Sequence, residues 1–203
     1  MGIKARIARA EHTLRESRSS SMPEPMATAL RMRSCNIYPL RTRSQPMNHS
    51  DTVHEAIFAP DLTVATVVVR DGRLLMIEER VQGQAVINQP AGHLEPGETL
   101  QQAAIRETLE ESGWDVELIA FIGCYQWTSP ADGRSFVRFA FSGRACKHYP
   151  ERVLDDGIIR AFWQTPGEIH ADRERHRSPL VMAVIDDCLA GKRLPLDAVR
   201  HLP

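Results

Sequence analysis

The chain has 203 residues, 42% of them hydrophobic and 25% charged, which is enough to bury one sizeable domain. No apolar run approaches the roughly 18 residues that a membrane-spanning helix requires, so a helical membrane protein is excluded and a cytoplasmic location is expected. The net charge of −1 hides an asymmetry, because residues 1–46 hold nine Lys/Arg against three Glu and the +6 there leaves −7 for residues 47–203.

Residues 1–58 are read as an extension outside the fold. Over residues 1–46, eight Arg, six Ser and four Pro occur with no sustained apolar period, too little to offset the entropy of ordering, so disorder is expected. The pattern permits at most a short basic helix over Gly2 to Leu14. Three origins stay open for this stretch: translation upstream of a true start at Met47, an Arg- and Ser-rich targeting segment, or a basic arm for nucleic acid. No continuous apolar region follows the basic residues, as a secretory signal would need.

The domain is expected over residues 59–193. Leu62–Val69 is rich in Val and Thr, Asp71-Gly72 is a two-residue hairpin turn, and Arg73–Glu79 is its partner strand. Gln82-Gly83-Gln84 turns into a short strand, Val86–Gln89, that leads through Pro90 to Gly92. Thr99 with Gln102 forms a capping box and Gly113 suits a left-handed C-terminal position, so a helix is expected over Leu100–Ser112.

After that helix, Val116–Trp127 reads as a buried strand turned at Ser129–Gly133, and Ser135–Arg144 returns with Phe136, Val137, Phe139 and Phe141 facing the core. Ile158–Gln164 is a further strand, and Pro166-Gly167-Glu168 opens a helical turn. Ser178 as N-cap with Pro179 behind it starts the last helix, which stops at Gly191, and residues 194–203 are left as a tail. Strands mixed with two substantial helices indicate an α/β layered fold. Cys35, Cys124, Cys146 and Cys188 stand far apart without a CxxC pair, which excludes a zinc site and a disulfide frame; each is expected to be a small buried thiol in a reducing compartment.

The stretch Gly92–Trp114 carries the chemistry. On a helix of about 100° per residue, Glu107, Glu110 and Glu111 share one face, and no Lys or Arg stands four residues from Glu107 or Glu111 to offset their repulsion. The same face carries Leu100, Ala103 and Ala104, which argues against a freely solvated acidic stripe. Hard oxygen ligands on a rigid element suit Mg²⁺, with Mn²⁺ as second candidate, and such ions keep waters for substrate phosphates.

Gly92, then Glu98 after five residues, then Arg106-Glu107-Thr108-Leu109-Glu110-Glu111-Ser112-Gly113-Trp114 after seven more resembles the Nudix box. Thr108 departs from the family pattern, which has an aliphatic residue there. The resemblance implies an α/β/α sandwich with a mixed β-sheet and a hydrolase of phosphoanhydride bonds. By it, Glu107, Glu110 and Glu111 hold the metals with the Gly92 carbonyl, Glu107 or a loop carboxylate deprotonates the attacking water, and Arg106 pairs with Glu98 to brace the helix.

Further segments resemble the NudJ-type phosphatases of that family: Asn88–Glu95, Gln126-Trp127 before Pro130, Arg138-Phe139 and Arg177–Val181, together spanning Ala59 to about Leu189. That similarity implies hydrolysis of nucleoside tri- and diphosphates with little base preference, and of hydroxymethylpyrimidine pyrophosphate, with Mg²⁺ and release of phosphate. The implied partner is a small phosphorylated substrate, without membrane or nucleic acid, for a monomer or homodimer.

For several residues two readings stay open. Tyr125 or Trp127 stacks on a base, with Gln89 or Gln126 at its edge, or the rings pack in the core. Arg138 meets a phosphate or is an outward-facing strand charge, and His93 meets a phosphate or serves its loop. Asp155 or Asp156 adds a metal carboxylate or belongs to a turn. A pyrophosphatase of dinucleotides or nucleotide sugars is the rival enzyme, and a catalytically silent binding module using residues 1–46 is the rival class.

Overall fold

As a computed structural model, the structure describes residues 58–202; the extension over 1–46, its Gly2–Leu14 helix and Cys35 lie outside the described residues. The six expected strands form in order and the stretch after Pro90, expected as a loop, adds a seventh: β1 Asp61–Arg70, β2 Arg73–Val81, β3 Gln84–Asn88, β4 Ala91–His93, β5 Trp114–Thr128, β6 Ser135–His148 and β7 Ile158–Gln164. The helices are α1 Leu100–Ser112, α2 Pro166–Ala171 and α3 Leu180–Leu189, with 3-10 turns at Arg173–Arg175 and Leu196–Ala198.

The β1–β2 hairpin pairs only at its tip, Val69 with Leu74 and Arg70 with Arg73. Below the tip the strands part: β1 runs parallel to β6 and antiparallel to β4, while β2 is flanked antiparallel by β3 and β7. The sheet is therefore mixed, and its order through the hairpin is β3-β2-β1-β6-β5.

Both faces of β1 are buried, which explains its unbroken Val- and Thr-rich run. Val64 packs with Ala103, Ala104, Leu118, Phe121 and Phe141 beneath α1, whereas Val67 packs with Ile122, Val181, Val184 and Ile185 beneath α3. The helices thus cover opposite faces, giving the α/β/α sandwich.

Local chemistry positions α1. Thr99 accepts from Gln102 N and the Gln102 side chain accepts from Thr99 N, while Gly113 closes the helix at φ +70°. Thr108, the departure from the box pattern, is fully buried and donates to the Ala104 carbonyl at 2.7 Å, so its hydroxyl leaves no unmet bond in the core.

Four expectations need correction. The last helix begins at Leu180 with Pro179 in the capping position and no side-chain cap, so Ser178 contributes its carbonyl, to Val181 N, in place of its hydroxyl. Cys124 and Cys146 are exposed and only Cys188 is buried, because the ends of β5 and β6 turn one face to solvent. Phe136 is half-buried and faces a cavity. The expected tail is tied to the domain as far as Val199: Leu194 exchanges backbone bonds with Phe121, and Gln101 donates to the Leu196 and Val199 carbonyls.

Candidate active site

The site forms where the chain leaving β3 passes the middle of α1. Thr66 N donates to the Pro90 carbonyl and β4 pairs Val64 with Gly92, so the glycine is pinned beside the sheet. A Cβ at Gly92 would lie 2.1 Å from the carboxyl carbon of Glu107, so only a residue without a side chain lets the backbone rest against that carboxylate.

The three box glutamates divide into two groups. Glu107 and Glu110 come together with Asp155, one oxygen from each lying within 4.8 Å of the others. Asp155 reaches the cluster because its N–H donates to the Glu110 carbonyl near the end of α1. Glu111 turns the other way, and its Oε2 accepts from Ala91 N at 2.7 Å. Asp156 is absent from the cluster.

Contrary to the expected lack of an offsetting cation, Arg106 meets two of the glutamates. Its Nη1 donates to Glu107 at 2.9 Å and to Glu110 at 3.0 Å, while Nε and Nη2 grip Glu98 and Nη2 also donates to the His93 carbonyl. A search four residues from Glu107 and Glu111 overlooks an arginine that is adjacent to one glutamate and four residues before another. The expected Arg106–Glu98 brace is present within this larger network.

Electrostatics at the site follow burial. Glu107 is raised above the ordinary carboxylate range, chiefly because it is buried, which outweighs Arg106. Burial also pushes Glu111 up to about 9, and Asp155 is raised by burial and by the Glu110 carboxylate. Glu98 is lowered by its hydrogen bonds from Arg106. Around the cavity and cluster, Glu79, Glu95, Glu98, Glu107, Glu110, Glu111 and Asp155 face Arg106, Arg138 and Arg177, seven carboxylates against three guanidinium groups. Three clustered carboxylate oxygens within that excess fit a hard divalent cation.

A cavity of about 320 Å³ opens between β1 and β2, floored by Gly92, Glu107 and Glu111 and walled by Phe136, Arg138 and Arg177. A larger hollow of about 620 Å³ lies beyond the C-terminal end of α1, at Leu109 and His148–Arg152, and holds none of the box carboxylates.

Similarity now decides the family. A family model for the NUDIX domain matches residues 60–183. The chain belongs to the Nudix hydrolase family. It is an enzyme of phosphoanhydride hydrolysis. Phosphatase NudJ of Escherichia coli K12 is 40% identical over 143 residues, covering 70% of this chain and 92% of that protein. A NUDIX hydrolase from Nitrosomonas europaea is 46% identical with a TM-score of 0.70, covering 71% of this chain and 98% of that one. A MutT protein from Methanosarcina mazei Go1, at 16% identity and a TM-score of 0.54 over 66% of this chain and 97% of its own, shares the fold.

Within this Nudix hydrolase, the residues read as substrate contacts divide by position. Arg138 lines the cavity at 6% exposure, so it is no outward-facing strand charge; the parting of β1 from β2 makes its face an interior wall. His93 stands at the rim, exposed, 3.6 Å from Asp61. Trp127 stacks behind Phe136, with ring centres 5.6 Å apart.

Gln89 is buried with both amide atoms unpartnered among the described residues, and Gln126 is exposed. Tyr125 is not brought to the cavity: it packs beneath α3, and its hydroxyl donates to Asp187 at 2.7 Å. Glu79 and Phe136 line the Nudix cavity without having been singled out for it, and Arg177 appeared only as part of a resembling segment. Glu79 carries no distinct signal in the sequence, since it stands between Glu78 and Arg80 in the polar half of β2.

Proposed function

We propose that this Nudix hydrolase is an Mg²⁺-dependent phosphatase of nucleoside tri- and diphosphates and of hydroxymethylpyrimidine pyrophosphate, releasing orthophosphate. The reading rests on its 40% identity to Phosphatase NudJ over nearly all of that protein. The observation that carries the chemistry is the Glu107 carboxylate held against Gly92, shared between the Glu107–Glu110–Asp155 cluster and the cavity.

In this reading Glu107, Glu110 and Asp155 are the side-chain ligands, with Glu111 and the Gly92 carbonyl beside them. Mg²⁺ bound there would neutralise the anhydride and lower the pKa of a water. The protein's own groups do the rest. Arg106 fixes the carboxylates of Glu107 and Glu110, and Glu98 fixes Arg106. Burial raises the proton affinity of Glu107, which makes it a better acceptor for a proton from the attacking water. The water's oxygen bonds to phosphorus in line, the P–O–P bond breaks, and the bridging oxygen leaves with the nucleotide or pyrimidine.

Products decide the matter. Supplied with Mg²⁺ and a panel of nucleoside tri- and diphosphates, hydroxymethylpyrimidine pyrophosphate, dinucleotides and nucleotide sugars, the enzyme is expected to release orthophosphate from the first two groups. Predominant inorganic pyrophosphate, or paired monophosphates from capped substrates, would overturn the proposal.

A further inference from the structure

The cavity behind Gly92 contains a cation that feels the charges of Glu111 and Glu79 but has two nitrogens to which no carboxylate is hydrogen-bonded among the described residues. Arg138 is 94% buried, since only 6% of its surface is exposed, yet Nε and Nη1 have no hydrogen-bond partner among the described residues. Its backbone is held between Thr63 on β1 and Tyr125 on β5, so the side chain cannot retreat to solvent by a strand shift. Burying a charged group with unmade hydrogen bonds is costly, and more so than for a neutral group. A fold that keeps such a group holds it ready for an acceptor from outside.

The site specifies that acceptor. Glu107 belongs both to the metal-type cluster and to this cavity, whose lining Arg138 shares, so an anhydride seated at the cluster would have Arg138 within the same enclosure. Arg177 stands on the same wall, part-exposed and with Nη1 donating to Glu79 at 2.6 Å, so Arg138 is the wall guanidinium whose unpartnered donors are also shut off from solvent. The Thr63 hydroxyl, also buried and without a partner among the described residues, adds a donor. Burial and the repulsion of Arg177 bring Arg138 down to about 10, so it stays charged at neutral pH. Several donors around one persistent positive charge suit a group rich in acceptor oxygens.

We infer that Arg138 is a specificity-determining residue that receives a free terminal phosphoryl group, so that the site discriminates chain ends from esterified, internal phosphates. This rests on the proposed phosphatase reading and adds a residue that sets its preference.

The test uses the full chain with Mg²⁺, a nucleoside diphosphate, and the same diphosphate methylated on its terminal phosphate. Wild type is expected to favour the free end in kcat/KM by at least about tenfold, the scale of one charge-assisted contact. Arg138→Met should lower kcat/KM on the free diphosphate by roughly 10²-fold and on the methyl ester by less than about threefold, while Arg138→Lys recovers part of the preference.

Because a buried variant can fail to fold, the second measurement needs only wild type. Inorganic phosphate is titrated in EDTA while the Nε–H resonances of the arginines are followed, and one solvent-protected resonance should shift saturably. Equal losses on both substrates, wild-type indifference to the methyl cap, or no phosphate-dependent shift would each overturn the inference. Pyrophosphate as the wild-type product would defeat the phosphatase reading, and the phosphate titration would still decide Arg138.

Discussion

Gly92→Ala isolates the contact on which the proposed chemistry depends. The new Cβ would fall 2.1 Å from the Glu107 carboxyl carbon and 2.2 Å from both oxygens, whereas ordinary contact begins near 3.4 Å, so the carboxylate must retreat by about 1.3 Å. A misplacement of about 1 Å at a reacting group costs on the order of 10² in rate, or roughly 2.7 kcal/mol of transition-state stabilisation. The obstacle is the far end of a flexible side chain and Gly92 does not occupy the left-handed region, so the fold should yield little. The melting temperature is expected to stay within about 2 °C of wild type.

The assay is kcat for orthophosphate release at saturating nucleoside diphosphate and Mg²⁺, measured for Gly92→Ala, Glu107→Ala and the double variant. Glu107→Ala removes the colliding atoms, so adding Gly92→Ala to it should change the remaining rate by less than about twofold. The reasoning is refuted if Gly92→Ala alone keeps a third or more of wild-type kcat, or if its penalty appears in full on top of Glu107→Ala.

Arg106→Met strands carboxylates that one guanidinium now gathers, and should cost about 2–3 kcal/mol, read as a fall in melting temperature of roughly 5–10 °C; an unchanged melting curve would remove Arg106 as the brace. Because Glu111 is pushed up to about 9, its ionisation opposes folding in metal-free protein; its contribution to stability is fully present below about 4.5 and is lost as pH rises through about 9. Glu111→Gln in EDTA should therefore melt higher than wild type at pH 8, with the difference vanishing toward pH 4.5, and a difference that grows on acidification would contradict this. Tyr125→Phe gives up the bond to Asp187 and should lose about 1 kcal/mol of stability while kcat/KM stays within about twofold, as a larger catalytic loss would return Tyr125 to the substrate site.

Elements with strong local signals were legible in the chain itself. The capping box at Thr99, the left-handed Gly113 and the Asp71-Gly72 turn are decided by residues a few positions apart, and the structure has them where the sequence puts them. The resemblance to the box likewise implied that Gly92 and Glu107 meet at one site, and the structure has them in contact. Long-range packing was not legible. Whether Arg138 or Tyr125 faces the cavity depends on how β1 parts from β2 and which helix covers each face, and period-two patterning on β5 and β6 is silent on both. For Asp155, two readings were consistent with a turn position, and only the bond from its N–H to the Glu110 carbonyl selects the cluster.

By itself, then, the sequence determined the secondary elements, the helix that carries the acidic face and the family, because capping, turn geometry and box spacing act within about twenty residues along the chain. The tertiary structure alone decided that Arg106 serves two of the three glutamates, that Asp155 joins Glu107 and Glu110 in the cluster, and that a guanidinium is buried behind Gly92 with two of its nitrogens unpartnered among the described residues. Those outcomes depend on which distant strands and loops the sheet brings into contact, and the energy of such contacts is not written in any local stretch.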